Sequence, residues 1–117
     1  EFCNNYKDLF SIPRQMENSK SAWLAYPILI NSNAKFTRKE FQIYLEERKI
    51  QTRVVFTGNI IRQPMMKGVK YIKNNSGYAN SDAVMERGVL LPLHHGMTES
   101  MFNRLHKTIK EFIDNRK

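Results

Sequence analysis

The hexapeptide Phe36-Thr37-Arg38-Lys39-Glu40-Phe41 restricts the fold more than any other stretch of this chain. Thr37 as N-cap with Glu40 three residues on is a capping box, and Phe36 and Phe41 stand where a hydrophobic staple needs them. A helix must therefore start here, with Phe41, Tyr44, Leu45 and Arg48 on one face, and end near Lys49. A second start follows at Thr98, stapled by Met97 and Phe102, with Met101, Phe102, Leu105, Ile109, Phe112 and Ile113 along one side. Lys110, Arg116 and Lys117 suit its negative end.

Between and around these helices lie three short segments rich in β-branched and aromatic residues. They are SAWLAYPILI from Ser21, closed by Asn31, Ser32 and Asn33; IQTRVVF from Ile50 to Phe56; and Val89 to Leu93. Pro27 has no amide to donate, which places it at an edge or a bulge. Residues 60–79 have no sustained period and contain Pro64, Gly68 and Gly77, so they read as a long loop with functional or interface duties. Asn80 can cap a short helix that Gly88 would stop in the left-handed conformation. The result is an α/β (α+β) two-layer sandwich, a three-stranded, mainly antiparallel sheet with helices. Residues 1–20 form an incoming helix end and linker, and residues 21–117 the domain.

The chain's 117 residues suffice for one core. Hydrophobic residues at 41% and charged residues at 26% belong to an ordinary globular protein. No apolar run approaches the roughly 20 residues that span a bilayer, and the N-terminus lacks a signal pattern, so a cytoplasmic location without membrane contact is expected. The lone Cys3 supports neither a disulfide scaffold nor a cysteine metal site. The chain opens at Glu1 without an initiator methionine, as a piece cut from a longer protein would.

The net charge of +8 is concentrated. Within residues 51–80, Arg53, Arg62, Lys67, Lys70 and Lys73 are accompanied by no acidic residue, and a positive field there favours an anion such as phosphate. The turn Thr57 to Pro64 adds Asn59 and Gln63 as donors, and Arg53 with Arg62 can grip a phosphate or diphosphate in bidentate fashion. The same residues equally suit a solvated turn. At Leu91 to Met97, His94 and His95 leave a strand before a helix N-terminus, where an anion can sit. Adjacent histidines of an extended segment point to opposite sides, so one metal ion is not expected to use both. Trp23 and Tyr26 either flank a planar ligand or pack in the core. No nucleophile elbow, phosphate-binding glycine loop or clustered carboxylate pair is present, so no catalytic residue is assigned.

Taken in order, SAWLAYPILI, IQTRVVFTGNIIRQP and NSDAVMERGVLLPLHHGMTESM resemble the C-terminal region of the DegT family of nucleotide-sugar aminotransferases and dehydratases. The resemblance covers about residues 11–117 and departs from the common pattern at Leu24. It implies the small domain of an aspartate-aminotransferase-fold homodimer. There, pyridoxal phosphate or pyridoxamine phosphate is held mainly by a large domain that also supplies the catalytic base. The wording TGNIIRQP is similar to the branch of 3-dehydratases that act on nucleotide-linked 4-keto-6-deoxysugars in lipopolysaccharide or other polysaccharide biosynthesis; a sugar aminotransferase is the alternative. By the same resemblance, Arg53, Asn59, Arg62 and Gln63 lie at or near substrate or phosphate, and Trp23, Tyr26, His94 and His95 line the cleft. Partners would be the nucleotide-sugar, the large domain, a second subunit and, for a dehydratase, an iron-sulfur reductase. On charge alone, with Tyr71 and Tyr78 beside the basic stretch, a small nucleic-acid-binding module is the reading from another class.

Overall fold

The computed structural model describes residues 2–116. In chain order the elements are a 3-10 turn at Phe2–Tyr6, β1 (Phe10–Ser11), β2 (Tyr26–Ile30), α1 (Arg38–Glu47), β3 (Arg53–Val54), 3-10 turns at Ile60–Arg62 and Pro64–Met66, α2 (Ala79–Arg87), β4 (Gly88–Leu91) and α3 (Glu99–Asp114). The sheet has four strands in the order β1-β2-β4-β3, every neighbouring pair antiparallel. Three of them are the expected ones. The fourth, β1, arises where a helix end was expected, because Phe10 pairs with Ile30 and inserts its ring into the core at 2% exposure.

Alternation sets the layers. Ile28 and Ile30 of β2 with Val89 and Leu91 of β4 face α1 and α3, whose Phe41, Leu45, Leu105, Ile109, Phe112 and Ile113 complete the core. Phe112 is its centre, edge-on to Phe36 at 4.9 Å, Phe41 at 5.1 Å and Tyr44 at 5.1 Å. Met101, expected on this side, is turned off it and 46% exposed. Pro27 pairs with Leu90 on one side, while β1 reaches only Leu29 on the other, so Pro27 stands at an edge in effect.

Both predicted helix starts are present. Thr37 Oγ1 accepts from the Glu40 amide at 3.2 Å while the Glu40 carboxylate accepts from the Thr37 amide at 2.7 Å, and the Phe36 and Phe41 rings lie 6.0 Å apart. Helix α1 ends as a Schellman motif: Lys49 has φ 58°, its amide bonds Glu46 O, and the Ile50 amide bonds Leu45 O. That closure explains why β3 is only two residues long. The amides of Ile50 and Thr52 are taken by Leu45 O and the Glu46 carboxylate, so pairing with β4 begins at Arg53. At the far end of α3, Lys110 pairs with Asp114 and Arg116 lies 3.8 Å over the Phe112 ring; Lys117 is outside the described residues.

Two expectations about α2 are corrected. Its N-cap is Tyr78 and not Asn80, which lies within the helix. Gly88 has φ −76° and is not a left-handed stop. A side chain is excluded there for a different reason: a Cβ would sit 2.6 Å from Val84 O and 2.9 Å from Val55 Cγ2. Glycine lets β4 leave α2 without a gap.

Candidate functional site

The turn that follows β3 carries four of the polar candidates, and tertiary contacts decide what they can do. Gly58 has φ +66° and lies so close to α2 that a Cβ would be 2.3 Å from Met85 Cβ. Against the same helix, Asn59 Nδ2 donates to Asp82 Oδ1 at 2.7 Å, and Arg62 reaches Asp82 with two bonds, Nε at 3.0 Å and Nη2 at 2.9 Å. Asn59 is buried and its own Oδ1 accepts from the Ile61 amide at 3.2 Å. Gln63 Nε2 donates to Thr57 O at 2.8 Å. These bonds hold the Asp82 carboxyl at a pKa of about 2, lowered first by the Arg62 bond and then by that of Asn59, and they raise that of Arg62.

Residues 51–80 are thus acid-free along the chain but not in space, since Asp82 satisfies the fork that a phosphate would otherwise take. Asp82 is not among the residues that the sequence singles out. Its signal was present, however: an acid in the first turn of the helix that follows five unopposed cations.

Arg53 is placed differently. It is exposed, and among the described residues neither it nor Lys67, Lys70 or Lys73 enters an ion pair. With Gln51, Leu24, Leu90, Pro92 and His94 it lines a cleft of about 310 Å³ on the sheet face opposite the core. His94 Nδ1 accepts from the Gly96 amide at 3.2 Å, which closes the turn before α3. The His95 ring is 6.4 Å from that of His94, with the planes at 82°, and does not line this cleft.

Trp23 and Tyr26 belong to a second cleft, of about 370 Å³, together with Cys3, Phe102 and His106. The His106 ring stacks on Phe2 at 4.3 Å, and burial lowers its pKa. Burial likewise raises the pKa of Cys3 and of Tyr26. Leu91, Pro92 and Leu93 form the wall between the two clefts. Of the eight candidates, the structure therefore brings together Arg53 with His94, Trp23 with Tyr26, and Asn59 with Arg62.

No helix among the described residues is long and apolar enough to cross a membrane. The buried side-chain polar atoms among the described residues all have partners. With Arg62 and Asn59 committed to Asp82, these residues do not by themselves form a cradle for a cofactor phosphate.

The profile of the DegT/DnrJ/EryC1/StrS aminotransferase family matches residues 4–110. The chain is 33% identical over 102 residues to dTDP-4-dehydro-2,6-dideoxy-D-glucose 3-dehydratase of Saccharopolyspora spinosa, covering 87% of the chain and 22% of that protein. It is 30% identical over 106 residues to the lipopolysaccharide biosynthesis protein RfbH of Salmonella typhimurium, covering 91% of the chain and 24% of the relative. It therefore spans about a quarter of the length of these relatives. Among solved structures, a DegT DnrJ EryC1 StrS aminotransferase from Brucella abortus superposes with a TM-score of 0.77 at 20% identity over 96% of this chain and 28% of that one. An E. coli GDP-4-keto-6-deoxy-D-mannose-3-dehydratase with bound hydrated PLP superposes with a TM-score of 0.75 at 21% identity, over 92% and 28%. The sandwich is that of these aminotransferase-fold proteins. By its sequence over nearly its whole length, the chain belongs to the DegT/DnrJ/EryC1/StrS aminotransferase family.

Proposed function

We propose that this chain is the substrate-facing C-terminal part of a pyridoxal- or pyridoxamine-phosphate-dependent enzyme that removes the C3 hydroxyl of a nucleotide-linked 4-keto-6-deoxysugar, in the making of lipopolysaccharide or another polysaccharide. The observation that carries this reading is the 33% identity to a sugar 3-dehydratase over 87% of the chain. TGNIIRQP supports the same branch.

In this reading the cofactor, held mainly by a large domain, supplies the electron sink when bound. The present residues bind and orient. Arg53 meets a phosphate oxygen of the nucleotide in bidentate geometry, and His94 and Gln51 line the same cleft. Trp23 and Tyr26 border the neighbouring cleft, and His95 stands at the rim. Asn59 and Arg62 act near the substrate by holding the turn on Asp82, with Gln63 fastening its other end to Thr57. A second subunit and an iron-sulfur reductase are the partners that go with this activity.

An aminotransferase is the second reading, supported by the description of the matched family as an aminotransferase family. The test is to express the reading frame that encodes this chain and supply it with a nucleotide-linked 4-keto-6-deoxysugar, either cofactor form, a reductant and an amino donor. Mass spectrometry and NMR then read the product. Loss of the C3 hydroxyl is expected. Nitrogen retained on the sugar would establish the second reading instead, and no conversion would sink both.

A further inference from the structure

Strands β1 and β2 pair antiparallel, but residues 12–25 separate them, and every residue from 14 to 24 is exposed. Connections of that length are uncommon in compact domains and are mostly functional or disordered. The chain as a whole is extended for its size, with a radius of gyration of 16.1 Å against about 13 Å for a compact domain of this length. The tip of the loop is nevertheless ordered by its own bonds. The Ser19 amide donates to Met16 O at 3.3 Å, and Asn18 takes the positive φ, 59°, that the third position of such a turn requires. Gln15 Nε2 donates to Ser19 O at 2.6 Å and to Ser19 Oγ at 2.7 Å, and Ser19 Oγ donates to Met16 O at 2.9 Å. Asparagine tolerates its conformation, so the turn is preformed without strain. It presents Met16, 73% exposed, between Arg14 and Glu17, neither of which enters an ion pair among the described residues. Arg14, Gln15, Met16 and Glu17 also line a hollow of about 410 Å³.

We propose that this tip is a contact with a second copy of the chain across a two-fold axis, in which Arg14 of each copy pairs with Glu17 of the other and Met16 seats in the other's hollow; this rests on the second subunit proposed above. The charge pattern selects the partner. Residues 14–19 carry one positive and one negative side chain, so a nucleic acid, an anionic membrane or a protein face of one sign would meet a repulsion for each attraction. A two-fold contact requires a patch that complements itself, with opposite charges that exchange across the axis. Residues 14–17 supply those charges, and they supply knob and hollow on the same side chains. A preformed turn also loses less freedom on association than a loose one. So small a tip buries far less than the roughly 1,200 Å² of a stable interface; it therefore adds to an association whose main area lies elsewhere, and fixes its register.

The test uses the protein as its reading frame encodes it, at physiological salt, where exposed charges more than about 8 Å apart are largely screened. Arg14→Glu alone and Glu17→Arg alone each set like charges opposite one another in their own dimers, whereas a dimer with one copy of each variant restores both pairs. Both side chains stand in solvent, so each variant should melt with the wild type. Native mass spectrometry of the two variants, mixed and left to exchange subunits, should find about nine-tenths of the dimer mixed, given about a 10-fold loss of affinity in each like-charged dimer. The double variant, with Arg14→Glu and Glu17→Arg in one chain, should dimerise as the wild type does in sedimentation equilibrium. A statistical half of mixed dimer, or a double variant as weak as the single ones, overturns this inference and leaves the second subunit standing. A wild type that is monomeric throughout the micromolar range overturns it too, and removes the second subunit from the functional reading as well.

Discussion

At the scale of single residues, Asp82 is the hinge of the candidate site. It takes two bonds from Arg62 and one from Asn59, and these lower its pKa from the ordinary 3.8 to about 2. A depressed carboxyl stabilises the fold only while it is ionised. Its contribution is therefore complete above about pH 4 and is lost as the pH falls through about 2. Urea denaturation of the wild type and of Asp82→Asn across that window should show an acid-side loss in the former that is absent in the latter. A carboxyl signal of Asp82 that titrates near its ordinary value by NMR would refute the bonding described here. The residue scale also separates two arginines that are alike along the chain: Arg62 is engaged by an acid, and Arg53 is open to solvent.

Among the elements, α1 depends most on its own ends. The capping box at Thr37 satisfies amides that the first turn leaves without partners, and the Schellman closure at Lys49 does the same for carbonyls. Thr37→Ala should lower stability by about 1 kcal/mol, measured as a shift in the urea midpoint with an unchanged slope. An unaltered midpoint would mean that the box is not formed in solution. Helix α2 is organised in the opposite way. It lacks a side-chain cap and is held by its neighbours, through Arg38 Nη1 on Met85 O at 2.6 Å and Arg87 Nη1 on Ile30 O at 2.6 Å. Its start was correspondingly harder to read from the sequence.

For the molecule as a whole, stability is centred on Phe112. The ring has no exposed surface and meets Phe36, Phe41 and Tyr44 edge-on, so it ties α3 to α1. Phe112→Ala should cost about 3–5 kcal/mol, a large share of the roughly 5–15 kcal/mol that keeps a domain folded. A loss below about 1 kcal/mol on denaturation would show that the core closes without it. The opposite face of the sheet is built otherwise. Leu90 is half-buried beside the exposed Arg53, and the segment beyond carries Phe56, Met65 and Ile72 in solvent. The Arg53 cleft lies on this face, whereas the Trp23 cleft reaches the helix layer at Phe102, Leu105 and Ile109 of α3.

By itself the sequence determined both long helices, three of the four strands, the edge position of Pro27 and the family. Caps, staples and strand alternation act between residues at most a few positions apart, so they can be read along a line. Only the tertiary structure decided the fate of Arg62 and Asn59, because their partner Asp82 lies 20 and 23 residues away and is brought near by the seating of α2 on the turn. The same holds for Gly58 and Gly88, which are glycines because Met85, Val84 and Val55 leave no room for a side chain. It holds too for β1, which needs Ile30 as a partner. Contacts of that range depend on how layers pack, and no local periodicity encodes them.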